Sequence, residues 1–224
     1  MSMNVVEKID DQVKISQVLV SVSDKKNLET FIPALKAIHP EIKFYSTGGT
    51  YKYIREIIGP KDDCLIQVSD FTGQPETQGG LVKTLDFKIY LGLLTETYNT
   101  SHQDDLARTG AVPFDMVVVN LYPFKETISK PHATFENARG NIDIGGPCMV
   151  RASAKNFIRV ASVVDPEDYG TIVSDLKKNR GALSLRRRFI LSRKAFAHTA
   201  EYDRMIADYL AAQSYETVSG CYRF

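Results

Sequence analysis

Short apolar, β-branched runs alternate with amphipathic stretches along the first three quarters of the chain. After the first run, apolar positions from Leu28 to Leu35 recur at three-to-four spacing, which predicts a helix over residues 25–38. Residues 51–58 predict a second helix, and another opens at Pro166. The apolar runs themselves predict buried strands at 17–22, 42–46, 64–68, 115–123 and 159–165. Repeated strand–helix alternation predicts an α/β fold, with a mostly parallel sheet covered by helices on both faces.

The pattern changes to one long predicted helix from Ser184 to about Gln213. Three arginines at 186–188 stand beside its mostly apolar stripe, which we expect to be buried. The stripe consists of Leu185, Phe189, Ser192, Phe196, Ala200, Asp203 and Ile206. Because no repeat, low-complexity stretch or Pro/Gly/Ser linker interrupts the chain, we expect a single domain over 1–224.

Composition narrows the class of protein. Of the 224 residues, 43% are hydrophobic and 25% are charged, as in ordinary globular proteins, and the net charge of +1 gives no global field for nucleic acid or an acidic membrane. The acidic N-terminus lacks the apolar core of a signal peptide. Three cysteines without a CxxC motif indicate reduced thiols and no zinc site. We therefore expect a cytoplasmic protein with no nucleic-acid or membrane partner.

Three polar clusters follow predicted strands, at SDKK (23–26), STGGT (46–50) and NLYPF (120–124). The carboxyl ends of parallel strands form the usual ligand edge of an open sheet. In STGGT, two glycines let backbone N–H groups converge, the hydroxyls of Ser46, Thr47 and Thr50 add donors, and Lys25 can close the site. This pattern predicts a phosphate cradle. A tight strand-to-helix turn capped by threonine is the plainer alternative.

The stretch NIDIGGPCMVRASAKNF (141–157) surrounds a Gly-Gly-Pro break with an acid and two cations. Pro147 suits the first turn of a helix, which places Cys148, Arg151 and Lys155 on one stripe. We expect one ligand to touch Asp143, the free amides after Gly145-Gly146, and one or both cations. That set offers a proton acceptor, oxyanion donors and a proton source. The alternative is a capping aspartate with two solvated cations.

Six motifs, SVSDK, STGGT, VKTL, NLYPF, IDIGG and RASAKN, together resemble the cyclohydrolase domain of the bifunctional AICAR transformylase/IMP cyclohydrolase, over about residues 17–213. The resemblance implies a methylglyoxal-synthase-like three-layer sandwich extended by C-terminal helices. It also implies ring closure of 5-formamido-imidazole-4-carboxamide ribotide (FAICAR) to IMP and water, the final step of purine biosynthesis, without metal or cofactor. A free-standing homodimer lacking the transformylase domain is the expected form.

The resemblance carries roles onto individual residues. The implied catalytic residues are Lys155, Asp143, Tyr122 and Lys83. The implied substrate-binding residues are Ser23, Asp24, Lys25, Thr47, Gly48, Gly49, Thr50, Val82, Thr84, Asn120, Ile144, Gly145 and Gly146. As a plainer alternative, Tyr122 is a packed aromatic residue that ends a strand.

The chain departs from the family pattern between residues 79 and 94. Leu81 stands where the family has a ligand-contacting arginine, and Asp86 and Tyr90 replace two histidines. Leucine lacks the five donors of a guanidinium. We therefore expect the contact to be lost or to come from elsewhere, for example from Lys88 or Arg151.

Two other functions remain open. A non-catalytic nucleotide-binding regulatory module of the same fold, as in carbamoyl phosphate synthetase, explains STGGT and tolerates Leu81. It leaves Asp143, Lys155 and Tyr122 without a role. Methylglyoxal synthase shares the STGGT turn, but its chain is much shorter and its glycine–aspartate loop does not follow STGGT here.

Overall fold

The computed structural model describes residues 5–60, 62–75 and 82–224. Within them, five parallel strands form one sheet in the order β4-β3-β2-β5-β6, and β1 and β7 form a separate antiparallel pair. The strands are β1 (Gln12–Lys14), β2 (Gln17–Val22), β3 (Lys43–Ser46), β4 (Leu65–Gln67), β5 (Met116–Asn120), β6 (Ala161–Val163) and β7 (Ala182–Ser184). The order reverses at β2, whose neighbours are β3 and β5, and this creates a crevice at their carboxyl ends.

Helices connect and cover the strands of the described chain. They are α1 (Leu28–Ile38), α2 (Gly48–Ile58), α3 (Val68–Thr72), α4 (Phe87–Leu94), α5 (Thr100–Thr109), α6 (Phe124–Ile128), α7 (Phe135–Gly140), α8 (Gly145–Lys155), α9 (Tyr169–Lys178), α10 (Leu185–Ala211) and α11 (Tyr215–Ser219). A short 3-10 helix, Pro166–Asp168, precedes α9.

Two hydrophobic cores lie on opposite faces of the sheet. In β2, Val18 and Val20 face a core built with α1, α2 and α9, whereas Leu19 faces a second core built with α4, α8 and α10. The same alternation in β5 follows from the two-residue period of a strand. Both faces are covered, so the predicted three-layer α/β architecture with a parallel sheet is confirmed.

Strand and helix ends differ from the predictions in ways that shape the crevice. β5 ends at Asn120 and not at Pro123, whose missing N–H cannot continue a ladder. The helix predicted from residue 25 begins at Leu28, because Asn27 has a left-handed φ of 63° at the cap. The predicted start at residue 25 was therefore wrong, and the SDKK segment remains a loop.

The apolar stripe predicted for α10 is not the face that the fold buries. Phe189 and Phe196 are 46% and 37% exposed, and the buried face consists of Arg188, Leu191, Ser192, Ala195, Thr199 and Tyr202. Arg188 tolerates full burial because all five of its N–H groups are donated to backbone carbonyls. The acceptors are the carbonyl oxygens of Asp10, Asp11, Phe157, Ile158 and Leu183. Arg188 thus ties the N-terminal segment to α10.

Two further features bear on the predicted class of protein. In the described part of the chain, no helix combines the length and the apolar character that crossing a membrane requires. Cys64, Cys148 and Cys221 are all free thiols, as predicted.

Candidate active site

A cavity of about 420 Å³ opens at the carboxyl ends of β2, β3 and β5, where the strand order reverses. This volume is in the range of small-molecule sites. Most of the predicted site residues line it, namely Ser23, Lys25, Thr47, Gly49, Thr50, Lys83, Thr84, Asn120, Tyr122, Asp143, Ile144, Gly145 and Gly146. Residues as distant in sequence as Ser23 and Gly146 therefore share one cavity.

The glycine turn brings the N-terminus of α2 to this cavity. Gly48 has a φ of 48°, which favours glycine, and α2 starts there with exposed amide donors. A methyl group placed on Gly48 would lie 3.5 Å from the Nζ of Lys83, so the lysine amine reaches over the turn. The positive end of an eleven-residue helix and a cation thus act together on any anionic group held here.

Two of the three hydroxyls predicted to bind phosphate are bound to the backbone instead. Ser46 is fully buried and donates to the carbonyl of Val20 at 2.7 Å. Thr50 donates to the carbonyl of Val22 at 3.0 Å and accepts the Val22 N–H at 3.1 Å. Their side chains fasten the turn to β2, and that part of the prediction was wrong. Backbone amides of the turn are left as the cradle, with Thr47 beside them.

Asn120 shapes the SDKK loop from the end of β5. Its Oδ1 accepts the N–H groups of Ser23 and Asp24 at 2.6 and 2.9 Å, and its Nδ2 donates to the Asp24 carbonyl at 2.7 Å. These bonds hold Ser23 and Lys25 at the cavity wall. The carboxylate of Asp24 accepts the Lys26 N–H, and Asp24 itself does not line the cavity.

Asp143 provides a half-buried carboxylate at the opposite wall. Its Oδ1 accepts the Gly146 N–H at 2.9 Å, at the start of α8. Burial raises the pKa of the Asp143 carboxyl, while the N–H groups of Gly146 and Tyr122 and the positive charge of Lys83 oppose that rise. A carboxylate held by donors but kept from water is suited to accept a proton.

The neighbours of Asp143 complete the wall. Tyr122 and Ile144 are 47% and 58% exposed, so both side chains remain available to a ligand at the rim. Thr84 is buried, and its hydroxyl lies against Gly145, where an added methyl group would meet it at 2.9 Å. Gly145 therefore permits a close approach between this loop and the VKTL segment.

Lys155 does not line the cavity. It is exposed in the last turn of α8, and the eleven residues of that helix carry it about 15 Å from the Gly145 end. Arg151 lies over the ring of Phe196, with 5.6 Å between the guanidinium carbon and the ring centroid. The expectation that one ligand touches Asp143 and these two cations was wrong, because α8 directs them along its length and away from its N-terminus.

Asp86, one of the residues that depart from the family pattern, has a structural role. It caps α4 by accepting the Lys88 N–H at 2.8 Å, and the amine of Lys88 donates to the Phe71 carbonyl. Lys88 and Arg151 both lie outside the cavity, so neither supplies the missing arginine contact. Gly48 and Val82 also do not line it, and Leu81 lies outside the described residues.

One supporting residue escaped the sequence reasoning. Tyr202 of α10 accepts the backbone N–H of Asp143 at 2.8 Å, across 59 positions of sequence. No local pattern signals such a contact, because it depends on the register of α10. Among the described residues, no group of three or more His, Cys, Asp or Glu side chains is placed to bind a metal ion.

The fold and cavity define an α/β protein with a ligand site at the switch point of a parallel sheet. The model of the MGS-like domain matches residues 27–148, and the chain belongs to that family. The model of the AICARFT/IMPCHase bienzyme matches residues 153–223, next to it along the sequence.

Relatives of known name agree with these matches. The chain is 46% identical to the "Bifunctional purine biosynthesis protein PurH" of Neisseria meningitidis serogroup A over 206 residues, which are 92% of this chain and 38% of that protein. It is 46% identical to PurH of Bacillus subtilis strain 168 over 88% of this chain and 37% of that protein. The chain thus spans little more than a third of these curated relatives and is homologous to that portion of PurH.

A solved structure extends the comparison. The "Crystal structure of ForH" superimposes with a TM-score of 0.72 at 30% identity, and the match covers 86% of this chain and 97% of that one. This agreement supports the sheet order and the helical layers described above.

Proposed function

We propose that the chain is an IMP cyclohydrolase that closes the six-membered ring of FAICAR and releases IMP and water. The observation that carries the proposal is the convergence of the Asp143 carboxylate and the Lys83 amine on one cavity beside two helix N-termini. Homology to a portion of PurH, a purine-biosynthesis protein by name, supports the substrate class.

The chemistry follows from the groups that line the cavity. The carboxamide nitrogen of the substrate attacks the formyl carbon, so nitrogen loses a proton while negative charge grows on the formyl oxygen. Asp143 accepts the proton of the carboxamide nitrogen, and Lys83 stabilises the oxyanion on the former formyl oxygen. That proton and the one lost from the formamido nitrogen, as its double bond to the former formyl carbon forms, leave with this oxygen as water. The N-terminus of α2 and Lys25 hold the phosphate.

Both reacting groups belong to one substrate, so positioning supplies much of the catalysis. Because the two groups are already linked, holding their near-attack conformer contributes only part of the about 7–11 kcal/mol that orientation supplies to a reaction between separate molecules. In this proposal Tyr122 and Ile144 at the rim confine the imidazole carboxamide of the substrate. The homodimer and the cytoplasmic location expected from the resemblance belong to the same proposal.

The test compares three variants in FAICAR turnover, followed by the ultraviolet absorbance of IMP. We expect Lys83→Met and Asp143→Asn to lose about 100-fold or more in kcat, because each removes a group that acts on the reacting atoms. Lys155→Met keeps most of the turnover, because Lys155 lies outside the cavity.

A loss at Lys155→Met as large as at Lys83→Met would contradict a site built from one chain. Saturable IMP binding in calorimetry without any FAICAR turnover by the wild type would instead favour the regulatory module. That alternative needs the phosphate cradle but not the carboxylate and the amine opposite each other.

A further inference from the structure

The carboxylate of Asp143 is carried by a short loop, residues 141–144. The loop joins α7 to α8, and the next residue, Ile144, is 58% exposed. Within the loop, the Gly146 N–H fixes Oδ1 at 2.9 Å, which orients the carboxylate relative to α8 but does not fix the backbone of Asp143. The position of the acid therefore depends on a contact from another element.

That contact comes from Tyr202, in the second half of α10. The side chain is 2% exposed, and its hydroxyl oxygen accepts the backbone N–H of Asp143 at 2.8 Å. A hydrogen bond of this length between buried groups has near-ideal geometry, and losing the acceptor leaves an amide without a partner.

The ring of Tyr202 contacts a second loop of the site. It packs edge-on against Phe124, with centroids 6.3 Å apart and planes at 72°. Phe124 is buried directly after Tyr122-Pro123, and the Tyr122 N–H lowers the pKa of the Asp143 carboxyl. Tyr202 thus contacts both the loop that carries the acid and the segment that follows Tyr122 at the cavity.

We propose that Tyr202 is a positioning residue that sets Asp143 for proton transfer by anchoring its backbone to α10. The proposal rests on the proposed function for its catalytic consequence. Tyr202 does not line the cavity, so it acts through Asp143 and not on the substrate. Catalytic groups must be held within about 0.5 Å of productive geometry. We expect a loop without this anchor to let the Asp143 carboxylate move further than that.

The chain offers a matched control. Tyr209 lies two turns further along α10 and packs edge-on against the same Phe124 ring, with centroids 5.6 Å apart and planes at 87°. Its hydroxyl makes no hydrogen bond to Asp143. Tyr202→Phe and Tyr209→Phe therefore remove the same atom from the same helix and the same aromatic cluster, and only the first removes the anchor.

Two measurements on the full chain test the proposal. We expect Tyr202→Phe to lower kcat for FAICAR about tenfold with KM changed less than about threefold, and Tyr209→Phe to leave both unchanged. In amide hydrogen exchange followed by NMR, we expect faster exchange at Asp143 in Tyr202→Phe alone.

The two readouts separate the positioning role from the cyclohydrolase activity. In one outcome, the wild type fails to convert FAICAR while hydrogen exchange at the Asp143 amide is still faster only in Tyr202→Phe. That result would support the anchoring of Asp143 by Tyr202 and refute the proposed function. Equal kcat and equal Asp143 exchange in the two variants would overturn the positioning role. A fall in kcat matched by an equal fall at Tyr209→Phe would do the same, since it would assign the effect to packing on Phe124.

Discussion

Gly146→Ala is expected to separate catalysis from folding in this site. A methyl group at Gly146 would lie 3.0 Å from the carboxyl carbon of Asp143, with Oδ2 closer still, and 2.8 Å from a methyl carbon of Leu121. Carbon contacts are comfortable at about 3.5–4.0 Å, so the carboxylate has to withdraw by roughly 1 Å. The backbone of Gly146 is not in the left-handed region, so the strain comes from these contacts alone.

The magnitude follows from that displacement. A misplacement of about 1 Å in a reacting group can cost about 100-fold in rate, and overpacking of this kind costs about 1–3 kcal/mol of stability. We therefore expect kcat for FAICAR to fall about 100-fold while the protein remains folded at 25 °C. The assay is IMP formation by ultraviolet absorbance beside thermal unfolding of the same sample.

Gly170→Ala is the control for the substitution itself. Gly170 lies in the first turn of α9, and a methyl group there would meet nothing within 4 Å. Alanine should leave turnover unchanged and add up to about 1 kcal/mol of stability. Gly146→Ala with the turnover of the wild type would refute the argument that the position of the Asp143 carboxylate limits the reaction.

Three further predictions concern buried groups. Arg188→Met removes the guanidinium that donates to five carbonyl groups. The free energy of unfolding measured with urea should fall by more than about 3 kcal/mol. A fall of less than about 1 kcal/mol would contradict the anchoring role of Arg188. The buried Tyr90 hydroxyl faces Cys148 without a well-formed hydrogen bond. Tyr90→Phe should therefore leave the unfolding temperature unchanged or raise it. A clear fall would show that the hydroxyl has a hydrogen-bond partner. In carboxyl NMR titration, the pKa of Asp143 should lie above the ~3.9 of a free aspartate. It should be higher again in Lys83→Met, because the lysine charge lowers this pKa. An unchanged pKa in the variant would show that Lys83 does not lie close to Asp143.

The titration also predicts a pH dependence of stability. Because burial raises the pKa of Asp143, folding favours its protonated form. The stability that this preference supplies is present below the pKa of an unfolded aspartate, ~3.9, and is lost as the pH rises through the higher pKa of the folded state. The ionised carboxylate that the proposed reaction requires is therefore maintained at some cost in stability.

Local patterns were sufficient for the sheet and for most of the cavity. β2 and β5 are apolar on both sides, as expected of strands buried on both faces of a parallel sheet. In a parallel sheet the carboxyl ends of neighbouring strands lie at the same edge. The glycines of STGGT and IDIGG mark the two turns that bring Gly49 and Gly146 to the cavity. These features depend on a few neighbouring residues each, so they can be predicted from the sequence.

Contacts set by tertiary packing could not be predicted in this way. Thr50 has the residue type of a phosphate ligand, but its hydroxyl bonds to β2, and only the packed structure shows that choice. Arg188 is fully buried within a run of three arginines, and Lys155 is separated from Asp143 by the length of α8. Tyr202 reaches Asp143 only because α10 packs in the register that buries Arg188.

The proposed cyclohydrolase activity is tested by the rate of IMP formation from FAICAR by the purified chain, compared with the spontaneous rate and with Asp143→Asn. We expect turnover well above the spontaneous rate that falls about 100-fold in the variant, with IMP affinity changed only a few-fold. Turnover by Asp143→Asn equal to that of the wild type, or no turnover by the wild type, would contradict the proposal.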